Sequence, residues 1–204
     1  MTTSQWIKWV YKPSVFILCV TPLLYFVWHA QFQGLGEEPV KAVTYFTGDW
    51  TLRFLLLTLC ITPLRRISGI NSLLHFRRML GLFAFFYACL HFTIYLLDQS
   101  FDWSIIIEDV IEHPYVTVGF SCFVLLVPLA VTSTNGMVKR LGARRWQRLH
   151  KMIYVIAIGG VLHFLWLVKK DITEPMYYAI VLTALLGYRL YFYYKNRNTG
   201  PVTG

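Results

Sequence analysis

Six long apolar stretches separated by short polar clusters make up most of the chain, at residues 14–30, 44–64, 79–97, 114–131, 152–168 and 176–194. An α-helix rising about 1.5 Å per residue needs about 20 such residues to cross a hydrocarbon core of about 30 Å. The pattern predicts an all-α polytopic membrane protein, a six-transmembrane-helix bundle. Asp49 and Arg53 interrupt the second stretch. The first is longer than a typical signal h-region and carries bulky Trp28 and His29 before Ala30, where a cleavage site requires small residues, so it reads as a retained helix. Connections are short, and no internal repeat or linker interrupts them, which predicts one compact domain over residues 1–204.

Composition strengthens this reading. Of 204 residues, 56% are hydrophobic and only 14% charged, where a soluble domain carries about a quarter charged residues. A net charge of +9 would ordinarily raise nucleic acid as a partner. A basic binding face needs a water-exposed domain, however, and none is left over, so membrane lipid is the expected surroundings and nucleic acid is set aside. The charges also orient the bundle. Lys8, Lys12, Arg65, Arg66, Arg77, Arg78, Lys139, Arg140, Arg144, Arg145, Arg148, Lys151, Arg189, Lys195 and Arg197 fall on one side. The other side receives Lys41, Arg53, Lys169 and Lys170 with all ten acidic residues, several of them in the 98–112 loop. Excess Lys and Arg mark the cytoplasmic side, so both termini are expected there, N-in and C-in. Cys19, Cys60, Cys89 and Cys122 each lie within an apolar stretch and form no CxxC or CxxCH, which disfavours zinc, a disulfide scaffold and covalent c-type haem.

Histidine carries the candidate chemistry, because a polar side chain in hydrocarbon needs a partner or a function. His29, His75 and His113 can reach water or headgroups. His91 and His163 cannot do so easily: they lie 13 and 12 residues beyond Arg78 and Lys151, the last cytoplasmic-side charges before their stretches. Both therefore sit about 18 to 20 Å above that boundary, on helices running in the same direction. Two imidazoles facing one another at one depth suit an iron held by two axial histidines. Gly159 and Gly160 before His163, and Gly81, Ala84 and Ala88 before His91, would leave space for a macrocycle, or equally serve close helix packing. His150 lies about 20 Å lower, where a second site would stack beneath the first. It shares a face with His163 only if the helix is distorted, for which Gly159–Gly160 is the natural place. Its partner position on the third helix is Arg77 rather than histidine, which leaves an interfacial histidine as the alternative. Arg53 and Arg77 would complement haem propionates or a flavin phosphate, or snorkel to headgroups.

The segments Gly48-Asp49-Trp50, Thr62-Pro63-Leu64-Arg65-Arg66, Arg77-Arg78-Met79-Leu80-Gly81, Leu90-His91-Phe92, Arg144 to His150 and Leu162-His163-Phe164 resemble the MsrQ (YedZ) family. These are the haem-binding membrane subunits of bacterial periplasmic methionine sulfoxide reductase systems, within the ferric-reductase-like transmembrane superfamily. The resemblance runs from about residue 8 to 195. It implies an inner-membrane protein with b-type haem that passes electrons to the periplasmic molybdopterin reductase MsrP, supporting repair of oxidised methionines. It maps haem-ligand positions onto His91, His150 and His163. It is compatible with one haem b or two, and the family's association with FMN makes a flavin the alternative occupant of the His150 level.

The residues add that reducing equivalents come from outside the chain, since no GxGxxG follows a strand and no soluble domain is present to hold NAD or FAD. The quinone pool or a cytosolic flavin reductase would serve as donor, and the chain would act as a non-catalytic electron-transfer subunit. Two other readings compete: a haem reductase of ferric iron or oxygen, and a non-redox transporter or assembly factor using His91 and His163 as a proton relay.

Overall fold

The computed structural model describes residues 2–168 and 171–198; Lys169 and Lys170, expected on the outer side, lie outside these described residues. The chain is helical throughout, with no strand among the described residues. A short α1 (Thr3–Trp6) and a wide π-helical turn (Ile7–Tyr11) lead into α2 (Lys12–Gln33). There follow α3 (Pro39–Ser68), α4 (Leu74–Asp98), α5 (Trp103–Glu112), α6 (Pro114–Val131), α7 (Asn135–Leu141), α8 (Ala143–His150), α9 (Met152–Leu167) and α10 (Thr173–Asn198).

Among the described residues, four helical segments are long and apolar enough to cross a membrane: Ile7–Gln33, Asn71–Asp98, Pro114–Val131 and Ala143–Leu167. The other two expected stretches lie within α3 and α10, which are long but more polar. The reason α3 tolerates Asp49 and Arg53 is its position. It packs along α4 and also meets α9 and α10, and Leu52, Phe54, Leu55, Leu59 and Ile61 are buried. Thr58 is buried there too and returns its hydroxyl proton to the Phe54 carbonyl at 2.7 Å. Polar side chains of α3 thus find partners inside the protein instead of facing lipid. By contrast, Phe16, Ile17 and Leu18 on α2 are exposed, as suits a surface facing hydrocarbon rather than water.

One proline position shapes the core. Pro63 inside α3 has no N–H to give the Leu59 carbonyl four residues back. Arg189 of α10 supplies the missing donor, its Nη2 lying 2.6 Å from that carbonyl while Nη1 donates to the Tyr154 hydroxyl of α9 at 2.8 Å. A basic residue in the hydrophobic interior thereby ties α3, α9 and α10 together.

The connections are more ordered than the polarity pattern suggested. The acidic 98–112 segment, expected as a loop, contains α5, whose start is capped by Asp102 accepting from the Ser104 and Ile105 amides at 2.9 and 3.4 Å. Ile106 of α5 is buried against the bundle. The basic segment before α9 likewise folds into α7, capped by Thr134 on the Met137 amide at 3.2 Å, and α8.

Candidate cofactor site

His91 on α4 and His163 on α9 come together in the half of the bundle away from the basic clusters. Their ring centroids are 6.2 Å apart and the ring planes nearly perpendicular, at 87°. Each ring is held by the same device. His91 Nδ1 lies 3.0 Å from the Thr44 carbonyl of α3, and His163 Nδ1 lies 2.7 Å from the Tyr115 carbonyl of α6. A carbonyl only accepts, so the proton sits on Nδ1 in both rings and the Nε2 lone pairs are left available.

The glycine four residues after each carbonyl completes the seat. A Cβ on Gly48 would lie 3.2 Å from His91 Cε1, and one on Gly119 would lie 2.7 Å from His163 Nδ1. A side chain at Gly119 would collide with its imidazole, and one at Gly48 would crowd its own. Thr44 with Gly48 and Tyr115 with Gly119 therefore form two matching cradles on α3 and α6. Sequence reasoning placed the small residues elsewhere and missed Tyr115 and Gly119. The only signal was the four-residue spacing, which has no meaning until helix pairing is known.

Around the rings is a cavity of about 370 Å³ lined by Leu52, Ala88, Phe92, Phe123, Leu126 and Gly160, with Asp49, Tyr95 and Asp109 on its lining as well. Its size and largely apolar wall suit a cofactor with a few fixed polar contacts. Among the described residues no group of three or more His, Cys, Asp or Glu converges as a metal site. Two imidazoles complete a coordination sphere only around a metal that brings its other donors, as a porphyrin iron does. His91 and His163, with rings 6.2 Å apart and Nδ1 engaged elsewhere, would hold such a group through Nε2. The residues present fit such a group.

The lower level is built differently. His150 ends α8, and the chain turns at Lys151 through i to i+3 bonds before α9 begins. The break between the two histidines therefore falls at Lys151 and not at Gly159–Gly160. Those glycines serve close packing: a Cβ on Gly159 would meet Cys122 Sγ of α6, and one on Gly160 would lie 3.0 Å from Leu52 Cδ2 of α3. His150 Nε2 is 3.1 Å from the Thr132 hydroxyl and its ring stacks on Trp146 at 3.9 Å. A cavity of about 60 Å³ beside it is lined by Arg77, Arg78 and Ser133, far smaller than the upper one. Arg53 lines neither cavity: its Nε donates to the Tyr178 hydroxyl at 3.0 Å, and Nη2 lies 3.4 Å from Asp49 Oδ2. His75 is exposed with Nδ1 3.1 Å from the Ser72 carbonyl, and His113 pairs with Asp109 at 2.9 Å. None of the four cysteines forms a disulfide.

Residues 47–161 match the family described as ferric reductase like transmembrane component. Several relatives bear the name protein-methionine-sulfoxide reductase heme-binding subunit MsrQ. The one from Herminiimonas arsenicoxydans is 50% identical over 190 residues, covering 92% of this chain and 87% of that protein. The one from Ralstonia nicotianae is 45% identical, with 94% and 89% covered. The one from Rhodospirillum rubrum is 48% identical, with 92% and 90% covered.

Proposed function

Because this chain belongs to the MsrQ family of ferric-reductase-like transmembrane proteins, we propose that it is a membrane electron-transfer subunit holding one haem b between His91 and His163. Haem bound there supplies a one-electron ferric/ferrous couple inside the membrane. The protein's own part is geometric. The Thr44 and Tyr115 carbonyls hold both imidazoles through Nδ1 and leave Nε2 free to ligate, which makes them better ligands and fixes their orientation. Apolar walls such as Leu52, Phe92 and Phe123 keep water from the site.

In this reading all six apolar helices cross a bacterial inner membrane with both termini cytoplasmic, since fifteen of the nineteen basic residues gather on one side. The cavity then lies nearer the periplasm, where electrons pass on to a methionine sulfoxide reductase such as MsrP. They arrive from the quinone pool or a cytosolic flavin reductase. The observation that carries the proposal is the pair of opposed imidazoles 6.2 Å apart, each with its Nδ1 proton directed to a backbone carbonyl.

A pyridine haemochrome assay and electron paramagnetic resonance on the purified protein, expressed with ample haem, test it. One low-spin b-type haem per chain, abolished by either His91→Ala or His163→Ala, is the expected result. A haem-replete preparation with no reducible b-type band, or full haem retained in either variant, would overturn the assignment.

A further inference from the structure

The carboxylate of Asp109 stands between the two histidine-bearing parts of the site. One oxygen, Oδ2, accepts from the Tyr95 hydroxyl at 2.7 Å. Tyr95 lies one helical turn beyond His91 on α4, hence on the same face. The other oxygen, Oδ1, pairs with His113 Nδ1 at 2.9 Å. His113 joins α5 to α6, and two residues later comes Tyr115, whose carbonyl holds His163. The rings of His113 and Tyr115 lie 5.7 Å apart, and those of Tyr115 and His163 6.2 Å. The corner is stitched again by the Thr117 hydroxyl, which donates to the Val110 carbonyl of α5. Asp109 is largely buried while its His113 partner is half exposed, so the Tyr95 hydrogen bond is the better shielded of its two contacts.

We propose that Asp109 is a positioning residue for His163. By tying Tyr95 of α4 to His113 it locks the α5–α6 corner, and the corner sets the Nδ1–H to Tyr115 carbonyl bond. This inference rests on the haem assignment above. A firm Nδ1–H bond raises the basicity of the axial imidazole and favours ferric iron. Loosening the corner weakens that bond and raises the midpoint potential while leaving both ligands in place. The Coulomb effect of the carboxylate acts separately, and the variants separate the two. Tyr95→Phe keeps the Asp109 charge. His113→Ala keeps it too and removes only a group that can be positive, so by charge alone it would lower the potential.

The experiment is a spectroelectrochemical titration of the haem-loaded, full-length protein, with low-spin resonance spectra of the same samples. Tyr95→Phe and His113→Ala are each expected to raise the ferrous-to-ferric ratio at a fixed potential three- to tenfold, about 28 to 59 mV for one electron, with shifted low-spin signals. His113→Gln, which can still donate to Asp109, is expected to restore wild-type values. If Tyr95→Phe and His113→Ala both keep the wild-type potential and spectrum, or His113→Ala lowers the potential, the positioning role is wrong. A wild-type protein without low-spin haem would instead refute the haem assignment itself.

Discussion

Replacing Gly119 by alanine puts one methyl group where His163 already stands. The added Cβ would lie 2.7 Å from Nδ1 and 2.8 Å from Cε1, whereas non-bonded heavy atoms settle at about 3.5 Å. The ring or α6 must therefore give way by about 0.7 to 0.8 Å, beyond the tolerance of about 0.5 Å for a preorganised ligand. The ring has no free direction of retreat. Its Nδ1 is held at 2.7 Å by Tyr115, one turn earlier on α6, so moving off the new methyl lengthens that bond. Losing such an outer-shell partner costs about 10- to 100-fold in metal affinity, or about 1.4 to 2.7 kcal/mol. Gly48→Ala is milder: its Cβ would lie 3.2 Å from His91 Cε1 and needs an adjustment of a few tenths of an ångström, for a loss below about tenfold. Gly81→Ala makes ordinary contact with Thr58, 3.8 Å from Cγ2 and 4.0 Å from Oγ1, and is the control. Titrating haem into apoprotein in detergent and following Soret absorbance gives the three dissociation constants. The expected order of weakening is Gly119→Ala, then Gly48→Ala, then Gly81→Ala indistinguishable from wild type. A Gly119→Ala protein that bound haem as tightly as Gly81→Ala would show that the cradle does not set the ligand.

Three further outcomes follow from particular contacts. His150→Ala is expected to keep full haem by haemochrome assay, because its Nε2 is engaged by Thr132 and the adjoining cavity is only about 60 Å³. Arg189→Leu strands the Leu59 carbonyl and is expected to cost about 1 to 3 kcal/mol in detergent unfolding; Pro63→Ala, which restores an intrahelical donor, should reduce that cost in a double-mutant cycle. Gly159→Ala drives a methyl into Cys122 Sγ and is expected to destabilise by about 1 to 3 kcal/mol, with Cys122→Ala recovering part of the loss in the same unfolding assay.

Much of the architecture was legible in the order of residues. Apolar length reports helices that cross hydrocarbon, because every backbone polar group there must be satisfied within its own segment. The offsets of 13 and 12 residues that separate His91 and His163 from Arg78 and Lys151 put them at nearly the same depth, since rise per residue is nearly constant in a helix. The interrupted second stretch falls within α3, which is helical but more polar than the four span-length apolar segments. Its charges belong to α3, which is surrounded by α4, α9 and α10 and so need not face lipid.

What only the tertiary structure decided concerns direction and closeness. The sequence places two imidazoles at one level, but which nitrogen is left free to ligate depends on the carbonyls of Thr44 and Tyr115, on helices 47 and 48 residues away. Backbone carbonyls are identical at every position, so no residue type announces the one that will be used. Gly119 and the Tyr95–Asp109–His113 cluster were hidden for the same reason: their meaning lies in which helix faces which. The break between the two histidine levels likewise falls at Lys151, where α8 gives way to α9, and not at the glycine pair. Local chemistry sets where each helix sits along the membrane normal, and packing between helices sets what each side chain can touch.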